Sequence, residues 1–208
     1  MATDMRIGIG FDSHPLVKGR RLVLGGVEIP FRKGLDGWSD ADVLTHAIID
    51  ALLGAAALGD IGQHFPPGDP RYKDISSLTL LEEVRDKLTT EGWRIGNIDA
   101  TVIAEEPRLA EFIEGIRHKL SQALGIETGQ VSVKASTTNK IGCTGKGVGI
   151  QAQAIALIES TSNQVSNMLN LMLEQAKLMV SSPQEQDCDC PEPKPDGATD
   201  SNVPQKGE

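Results

Sequence analysis

Apolar and polar residues alternate with a period of two in several short stretches of the chain, which is the pattern of a strand with one buried face. The same stretches are enriched in valine, isoleucine and threonine, residues that favour strands. A glycine joint at Gly25 and Gly26 interrupts the second stretch. The predicted strands cover residues 6–11, 22–29, 93–104, 131–136 and 149–158.

Three other stretches repeat their apolar residues at every third or fourth position, as an amphipathic helix does. The first follows Ser39, a good N-cap residue, with Asp42 completing an imperfect capping box, and it ends at Gly59. The other two helices are predicted over residues 77–91 and 107–124. The last of them begins at Pro107, a position where the missing N–H of proline leaves nothing unpaired. The apolar stripe of the first helix consists of Leu44, Ala47, Ile48, Ala51, Leu52 and Ala55.

The order of these elements is strand, strand, helix, helix, strand, helix, strand, strand. This order predicts an α+β fold with helices packed on one face of a mixed β-sheet. Dense apolar periodicity predicts one domain over residues 5–159. Over 160–180 a weaker stripe predicts an amphipathic helix that docks on the body or a partner, or else a weakly formed surface helix. The acidic, proline-rich residues 181–208 are expected to be disordered.

Charge and cysteine content limit the binding partners and the cellular compartment that the sequence predicts. The chain has 20 basic and 29 acidic side chains, a formal charge of −9, so a basic surface that neutralises nucleic-acid phosphates is not expected. No run approaches the ~20 apolar residues of a membrane helix. Cys143, Cys188 and Cys190 cannot all pair with one another and lack the spacing of a structural zinc site. We therefore expect a cytoplasmic protein without nucleic-acid or membrane partners.

Asp12, His14 and His46 are the candidate metal ligands. Asp12 and His14 are two residues apart at the end of a predicted strand, so their side chains point to the same face. His46 lies on the first helix, on a stripe distinct from its apolar one, and can face that strand end. Two imidazoles and one carboxylate leave a tetrahedral ion an open fourth position, as in catalytic zinc sites. On spacing alone, a packed or capping histidine fits the same pattern.

Longer motifs carry a resemblance to a known family. The first of them are IGIGFDSH (7–14), LGGVEIP (24–30), SDADVLTHA (39–47), DALLGAA (50–56) and GDIG (59–62). The later ones are FP (65–66), GNID (96–99), EP (106–107), KASTT (134–138) and GCTGKG (142–147). With these motifs the chain closely resembles 2-C-methyl-D-erythritol 2,4-cyclodiphosphate synthase, a phosphorus–oxygen lyase of the non-mevalonate isoprenoid pathway. The resemblance covers about residues 5–159 in the expected order.

The resemblance implies a homotrimer with active sites at the subunit interfaces and a metal-dependent ring closure. The family substrate is 4-diphosphocytidyl-2-C-methyl-D-erythritol 2-phosphate. Its 2-phosphate attacks the β-phosphorus, cytidine monophosphate (CMP) leaves, and 2-C-methyl-D-erythritol 2,4-cyclodiphosphate forms. Asp12, His14 and His46 match the ligands of zinc, one ion per subunit, which would take a β-phosphate oxygen in its open position. Asn139 matches the ligand of a second metal, magnesium or manganese, bound with the substrate diphosphate.

The resemblance also implies which residues contact the substrate. Asp60, with the backbone of Ile61 and Gly62, would hold the methylerythritol hydroxyls, and Thr137 matches a threonine that stabilises the transition state. Asp50 either orients a ligand histidine or keeps its helix face soluble. The implied cytidine pocket consists of Ala104, Glu105, Glu106, Pro107, Arg108, Leu109 and Ala110 together with Ser136 and Thr138. The other implied substrate-binding residues are Ser39, Phe65, Asp69, Cys143 and Lys146.

At four positions the chain departs from the family. Trp38 stands where most members have a histidine that helps to stabilise phosphate charge, and tryptophan can only donate one hydrogen bond. Asn139 replaces a glutamate, and an amide oxygen is a weaker ligand for a hard cation. Pro67 replaces an acidic residue. Lys146 replaces an arginine near the central cavity of the trimer, which keeps the charge but loses bidentate geometry.

Three hypotheses for function follow. The first is an active cyclodiphosphate synthase. The second, motivated by Trp38, Pro67 and Asn139, is a catalytically impaired trimer of the same fold that binds nucleotide or isoprenoid diphosphate. The third is a metal-dependent phosphohydrolase built on Asp12, His14 and His46, which would consume water and give no cyclic product.

Overall fold

A computed structural model of the protein describes residues 5–161 and 172–177. The strands are β1 Met5–Val17, β2 Leu22–Leu24, β3 Val27–Ile29, β4 Gly34–Leu35, β5 Trp93–Ile103, β6 Val131–Ser136 and β7 Gly149–Ser160. The α-helices are α1 Val43–Ala55, α2 Ile61–His64, α3 Ser77–Thr90, α4 Ile113–Leu124 and α5 Gly142–Gly145. Two short 3-10 helices cover Pro70–Tyr72 and Thr128–Gln130.

Five strands form one mixed sheet in the order β4-β1-β7-β5-β6, and β2 pairs with β3 in a separate hairpin. Only β5 and β6 run parallel among these pairs; the others are antiparallel. Helix α1 packs against β1, β7 and β5, while α3 packs against β5 and α4 against β6. The predicted α+β fold, with helices on one face of a mixed sheet, is confirmed.

Two predicted strands differ from the observed ones. β1 continues past Phe11 to Val17, because β7 pairs with it as far as Pro15, opposite Gly149. The stretch 22–29 is not one strand but two that form a hairpin. Gly25 and Gly26 have φ angles of 55° and 72°, the left-handed conformation that a tight hairpin turn requires at both central residues.

Two predicted helix starts also differ. The N-cap of α1 is Asp42, whose side chain accepts from the backbone N–H of Thr45, and not Ser39. The last long helix begins at Ile113 and not at Pro107, because residues 107–112 form an irregular segment that begins with a cis peptide bond and buries Leu109. Helix α3, Ser77–Thr90, agrees closely with the predicted range 77–91.

Helix α1 lies unusually close to β1, and two glycines make this possible. A Cβ atom added to Gly8 would lie 2.0 Å from the carbonyl oxygen of Ala51, and one added to Gly10 would lie 1.9 Å from that of Ala47. Both distances are far below van der Waals contact. The strand residues that face α1 are Gly8, Gly10, Asp12 and His14 in alternation, so the close approach places the polar end of this face beside the helix.

The opposite face of the sheet has apolar side chains that no described element covers. Ile7 and Ile9 on β1 are 72% and 74% exposed, and Phe11 on β1 and Ile155 on β7 are about half exposed. β1 and β7 are adjacent, so these side chains form one continuous patch. Patches of this kind mark protein–protein contact surfaces more often than bare solvent-facing surface. We call it the outer patch.

The chain divides into two compact units, Met1–Leu169 and Asn170–Glu208. Of the second unit the structure describes residues 172–177, which are helical. The rest of the helix predicted over 160–180, apart from residues 160 and 161, and the disorder predicted over 181–208 lie outside the described residues. Among the helices of the described residues, none is long and apolar enough to cross a membrane.

Candidate metal centre and its cavity

Asp12, His14 and His46 converge at the end of β1 next to α1. The Oδ2 atom of Asp12 lies 3.0 Å from Nε2 of His14 and 3.0 Å from Nδ1 of His46, and the two nitrogens are 3.2 Å apart. Among the described residues, these three form the one cluster of three or more histidine, cysteine or acidic side chains suited to hold a metal ion. The convergence predicted from the Asp12–His14 spacing and the helix position of His46 is confirmed.

In each histidine, the ring nitrogen that faces away from the cluster makes a hydrogen bond that orients the imidazole. Nδ1 of His14 lies 2.7 Å from the carbonyl oxygen of Asp36, and Nε2 of His46 lies 2.9 Å from Oγ of Ser77 and 3.2 Å from Oγ of Ser39. A carbonyl oxygen only accepts, so Nδ1 of His14 carries a hydrogen and Nε2 is free to bind a metal. Sequence reasoning missed Asp36 and Ser77, which are 22 and 31 residues distant along the chain from their histidines.

The two histidines keep Asp12 ionised, and Asp12 in turn favours the protonated form of His14. Burial raises the pKa of Asp12, but hydrogen bonds with His14 and His46 outweigh it and hold that pKa well below its usual range. Burial lowers the pKa of His14, yet the hydrogen bond and the charge of Asp12 outweigh it, so the pKa of His14 is raised. The Asp12 carboxylate is therefore ionised at neutral pH and ready to act as a ligand.

The donor set fits zinc. Two ligands of a tetrahedral ion with bonds of about 2.1 Å lie about 3.4 Å apart. The three donor atoms here are separated by 3.0, 3.0 and 3.2 Å, so only small movements would bring them to that spacing. Two imidazoles and one carboxylate would leave a fourth position on the ion, and a cavity lined by all three ligands lies beside the cluster. The chain can thus hold a catalytic rather than a structural metal.

The cavity has a volume of about 250 Å³. Asp12, His14 and His46 form its polar end, and the rest of the wall is largely apolar. The other lining residues are Trp38, Ser39, Ile61, Gly62, Phe65, Pro67, Tyr72 and Leu80. The predicted substrate residues Ser39, Ile61, Gly62 and Phe65 therefore surround the metal cluster, while Tyr72 and Leu80 were not predicted.

Asp60 and Asp50 shape the loop beside this cavity. Asp60 caps α2 by accepting from the backbone N–H of Gln63, and its carboxylate is exposed. Asp50 accepts from the backbone N–H of Ile61 at 2.8 Å. Asp50 thus holds the start of α2 beside the cavity, whereas Asp36, Ser39 and Ser77 make the hydrogen bonds to the two histidines; the two roles predicted for Asp50 stay predictions. Burial raises the pKa of Asp50.

Trp38 lines the cavity and links two neighbouring loops through hydrogen bonds. Its indole N–H donates to the carbonyl oxygen of Asp69 at 2.9 Å, and its own carbonyl oxygen accepts from the backbone N–H of Asp74. The carboxylate of Asp69 points elsewhere, to Arg71 and to the start of the short helix Pro70–Tyr72. The position of the expected histidine is thus taken by a side chain that joins two loops.

A second group of predicted site residues lies at the ends of β5 and β6. The backbone N–H of Ala104 donates to Ser136, and the carboxylate of Glu105 accepts from the backbone N–H groups of Thr138 and Lys140. These contacts bring the two predicted cytidine segments together.

The remaining residues of the first segment differ in their surroundings. Glu106 pairs with Arg32, Leu109 is buried, and Arg108 and Ala110 are exposed. No helix begins at Pro107 beside these segments, because α4 begins six residues later at Ile113.

Thr137 and Asn139 extend from the same loop. The hydroxyl of Thr137 donates to Oδ1 of Asn139 at 3.3 Å, and both side chains are exposed. Asn139 has a φ angle of 52°, a left-handed conformation that asparagine tolerates better than most residues. Cys143 is an exposed free thiol, and Lys146 lines a separate cavity of about 430 Å³ together with Arg32, Lys33 and Lys140.

The metal cluster and the 104–110 and 136–139 segments lie at the same end of the sheet but on different strands. Ser13, next to Asp12, is in register with Gln151 of β7, which is opposite Ile103 of β5 and then Ser136 of β6. Three strand spacings of about 4.8 Å place Ser136 about 14 Å from β1. One chain therefore presents two separate groups of predicted site residues: the metal cluster with its cavity, and the 104–110 and 136–139 segments.

The fold and the donor set define an α+β protein with a candidate metal-binding cluster beside a cavity. The chain belongs to the YgbB family, whose model matches residues 5–159. A relative from Moorella thermoacetica, named 2-C-methyl-D-erythritol 2,4-cyclodiphosphate synthase, is 60% identical over 154 residues, which is 74% of this chain and 94% of the relative. The resemblance inferred from the motifs is confirmed.

Solved structures agree with this assignment. IspF of Plasmodium falciparum, described as a CDP complex, superimposes with a TM-score of 0.67 and 32% identity over 77% of this chain and 99% of that one. The bifunctional IspDF of Campylobacter jejuni gives a TM-score of 0.74 and 36% identity over 76% of this chain. This chain spans 43% of the length of that protein.

Proposed function

We propose that this protein is a cyclodiphosphate synthase: it converts 4-diphosphocytidyl-2-C-methyl-D-erythritol 2-phosphate into 2-C-methyl-D-erythritol 2,4-cyclodiphosphate and CMP. The observation that carries the proposal is the convergence of Asp12, His14 and His46 on one point beside a cavity, in a chain 60% identical to a relative of that name. The reaction is a phosphorus–oxygen lyase reaction. An oxygen of the 2-phosphate attacks the β-phosphorus, the bond from that phosphorus to the bridging oxygen breaks, and CMP leaves with the electron pair.

We assign zinc, one ion per chain, to Asp12, His14 and His46. When bound, the ion draws charge from a phosphate oxygen and so favours attack at phosphorus. Asp36 and Ser77 keep the two imidazoles oriented, since each accepts a hydrogen from the ring nitrogen that faces away from the cluster. An acidic chain with a formal charge of −9 needs such a local cation to hold a multiply charged substrate.

The apolar cavity next to the metal cluster suits the methylerythritol part of the substrate. Asp60 is exposed at the start of α2 and can accept hydrogen bonds from sugar hydroxyls. The backbone N–H of Ile61 donates to Asp50, and the indole N–H of Trp38 donates to the carbonyl oxygen of Asp69. These two hydrogen bonds hold the loop that contains Asp60 from both sides. The chain thus orients a flexible molecule before reaction, which lowers the entropy cost of ring closure.

The segments 104–110 and 136–139 suit the nucleotide part. Relatives of known structure are described with CDP bound. We place cytidine against residues 104–110, with Ser136 and Thr138 beside it and the Thr137 hydroxyl toward the phosphates. We retain Asn139 as the ligand of a second metal, magnesium or manganese, but an amide supplies no charge and binds a hard cation weakly. Cys143 and Lys146 remain predictions as substrate contacts.

We further propose a homotrimer with active sites between subunits. Two features of one chain support it. The outer patch of Ile7, Ile9, Phe11 and Ile155 is exposed in the single chain and would be buried by a partner. The two groups of predicted site residues, separated by about three strand spacings of 4.8 Å, would form one site if the metal cluster of one subunit met the nucleotide segments of the next. The cytoplasmic location stays a prediction.

A direct assay tests the proposed function. Purified full-length protein supplied with zinc and magnesium is expected to release CMP and an equal amount of cyclic diphosphate from the substrate, with one zinc per chain by metal analysis. Light scattering is expected to give a mass three times the 22.2 kDa of one chain. A trimer that binds zinc and yields no CMP would refute the proposal, and CMP with a linear phosphate product would favour the hydrolase hypothesis.

Restoring the family residues at two positions is expected to change activity only modestly. The Trp38→His and Asn139→Glu double variant should differ from the parent by less than about tenfold in kcat, or less than about 1.4 kcal/mol of transition-state stabilisation. The reason is that the metal cluster is complete without either side chain, and Trp38 already holds Asp69 in place. Steady-state kinetics at several magnesium concentrations measure the effect. A gain of several hundredfold from a nearly inactive parent would instead support the impaired trimer.

A further inference from the structure

A buried hydroxyl and a carboxylate stand behind His46, on the side away from the metal cluster. Ser77 is fully buried at the first residue of α3. Its Oγ donates to Oδ1 of Asp40, and its backbone N–H donates to Oδ2 of Asp40 at 3.0 Å. The same Oγ lies 2.9 Å from Nε2 of His46. Asp40, Ser77 and His46 therefore form a hydrogen-bonded chain that ends at a candidate metal ligand.

Counting hydrogens fixes the direction of this chain. A serine hydroxyl has one hydrogen, and that of Ser77 is used by the carboxylate of Asp40, which can only accept when ionised. Ser77 must then accept from His46, so Nε2 of His46 carries a hydrogen. Ser39 is compatible with this assignment, because its Oγ has a second lone pair besides the one that accepts from the backbone N–H of Ala41. With this hydrogen on Nε2, the neutral ring offers its lone pair at Nδ1 to a metal, whereas in the protonated ring both nitrogens carry a hydrogen and Nδ1 donates to Asp12.

We propose that Asp40 and Ser77 are the positioning residues of the metal site: they hold His46 in the tautomer whose Nδ1 atom can bind the metal, and they fix the plane of its ring. The metal itself rests on the proposed function. Hydrogen-bond partners of this kind orient a ligand imidazole and raise its basicity, and their loss typically weakens metal binding by about 10- to 100-fold.

The position of Asp40 ties this pair to the fold as well. Ser76, the N-cap residue of α3, makes no side-chain capping bond, and the carboxylate of Asp40 takes the N–H of Ser77 in its place. The backbone N–H of Asp40 also donates to the carbonyl oxygen of Ile75 at 3.0 Å. One acidic side chain thus anchors the start of α3 and orients a residue of α1. This link makes α3 part of the metal site, although it contributes no metal ligand.

A Ser77→Ala variant tests the inference through zinc affinity. In this variant His46 keeps only the longer contact with Ser39, and the zinc dissociation constant of the protein, measured by competition with a chromophoric chelator, is expected to rise at least about tenfold. The matched control is Ser121→Ala, which removes another buried serine hydroxyl, one that bonds to His118 and Thr128 on α4 and the following turn. It is expected to bind zinc like the parent. Equal losses in both variants would overturn the inference.

The tautomer of His46 gives a second test that needs no metal and no activity. In the metal-free protein at about pH 8.5, where a neutral imidazole prevails, two-bond ¹H–¹⁵N correlation spectra are expected to show the His46 hydrogen on Nε2. Asp40→Asn places an amide N–H₂ against one of the two Ser77 donors, so the population of this tautomer should fall. A parent with the hydrogen on Nδ1, or an Asp40→Asn spectrum and zinc affinity identical to the parent, would overturn the inference. A parent that shows the Nε2 tautomer and binds no zinc would contradict only the proposed metal.

Discussion

Asparagine in place of Asp12 is expected to abolish stoichiometric zinc binding and to lower kcat for cyclisation at least about a thousandfold, equivalent to about 4 kcal/mol of transition-state stabilisation. Asp12 is the one anionic donor of the cluster, and its Oδ2 atom lies 3.0 Å from both imidazoles. Asparagine keeps the size but offers a neutral oxygen, or turns an N–H₂ group toward the ion. CMP release and metal content of the purified variant are the measurements.

The matched control for this variant is Asp86→Asn, which changes the same residue type on the solvent-facing side of α3. Asp86 is exposed, pairs with its neighbour Arg85 and contacts neither the cluster nor the outer patch, so zinc content and kcat should stay at the parent values. A fully active, zinc-loaded Asp12→Asn enzyme would contradict the assignment of Asp12 as a metal ligand.

The same variant also predicts a pH effect in the metal-free protein. Asp12 raises the pKa of His14 above its ordinary 6.5, so the folded protein binds a proton at His14 more tightly than the unfolded chain does. The stability that this gives is present at pH 6 and is lost as the pH rises through the raised pKa. The parent, melted in the presence of a chelator, should therefore lose more stability between pH 6 and pH 8 than Asp12→Asn does. Identical pH profiles would mean that the ion pair does not stabilise the fold.

Only part of the candidate metal cluster could be predicted from local geometry, because His46, 32 residues from His14, was assigned by the resemblance to the family. Alternation along a strand places Asp12 and His14 on one face, and this rule needs no knowledge of the partner strand. The residues that orient the ligands could not be predicted. Ser77 is 31 residues from His46 and 37 from Asp40, and only the packing of α3 against α1 brings them together. As a buried serine at a helix start, Ser77 shows no sequence pattern of its own.

The differences in the fold have a similar cause. The helix predicted to begin at Pro107 does not form there, because the preference of proline for a helix start is only local. The hydrogen bonds of Ala104 and Glu105 with residues 136–140 instead hold the start of this segment against β6 and the loop that follows it. Ser39 is an acceptable N-cap by type, but its hydroxyl lies against His46. Asp42 caps α1 in its place and also accepts from the N–H groups of Gly25 and Gly26, which fixes the β2–β3 hairpin to the helix.

Alanine in place of Gly10 is expected to damage both stability and the metal site without touching a ligand. The new Cβ atom would lie 1.9 Å from the carbonyl oxygen of Ala47 and 2.6 Å from the backbone nitrogen of Ala51, both in α1. Backbone atoms cannot rotate away, so α1 must move off β1. The expected loss of stability is about 3 kcal/mol or more. His46 precedes Ala47 and moves with it, so kcat should fall by about a hundredfold.

Gly54→Ala is the matched control, because it adds the same methyl group to a glycine within α1 itself. The nearest atom to its new Cβ is the carbonyl oxygen of Ile9 at 3.9 Å, an ordinary contact, and alanine favours a helix over glycine by about 1 kcal/mol. This variant should melt at or above the parent temperature with full activity. Thermal melting at fixed protein concentration and zinc competition compare the two. If Gly10→Ala melted and bound zinc like the parent, close contact of α1 with β1 would not be what places His46 opposite Asp12.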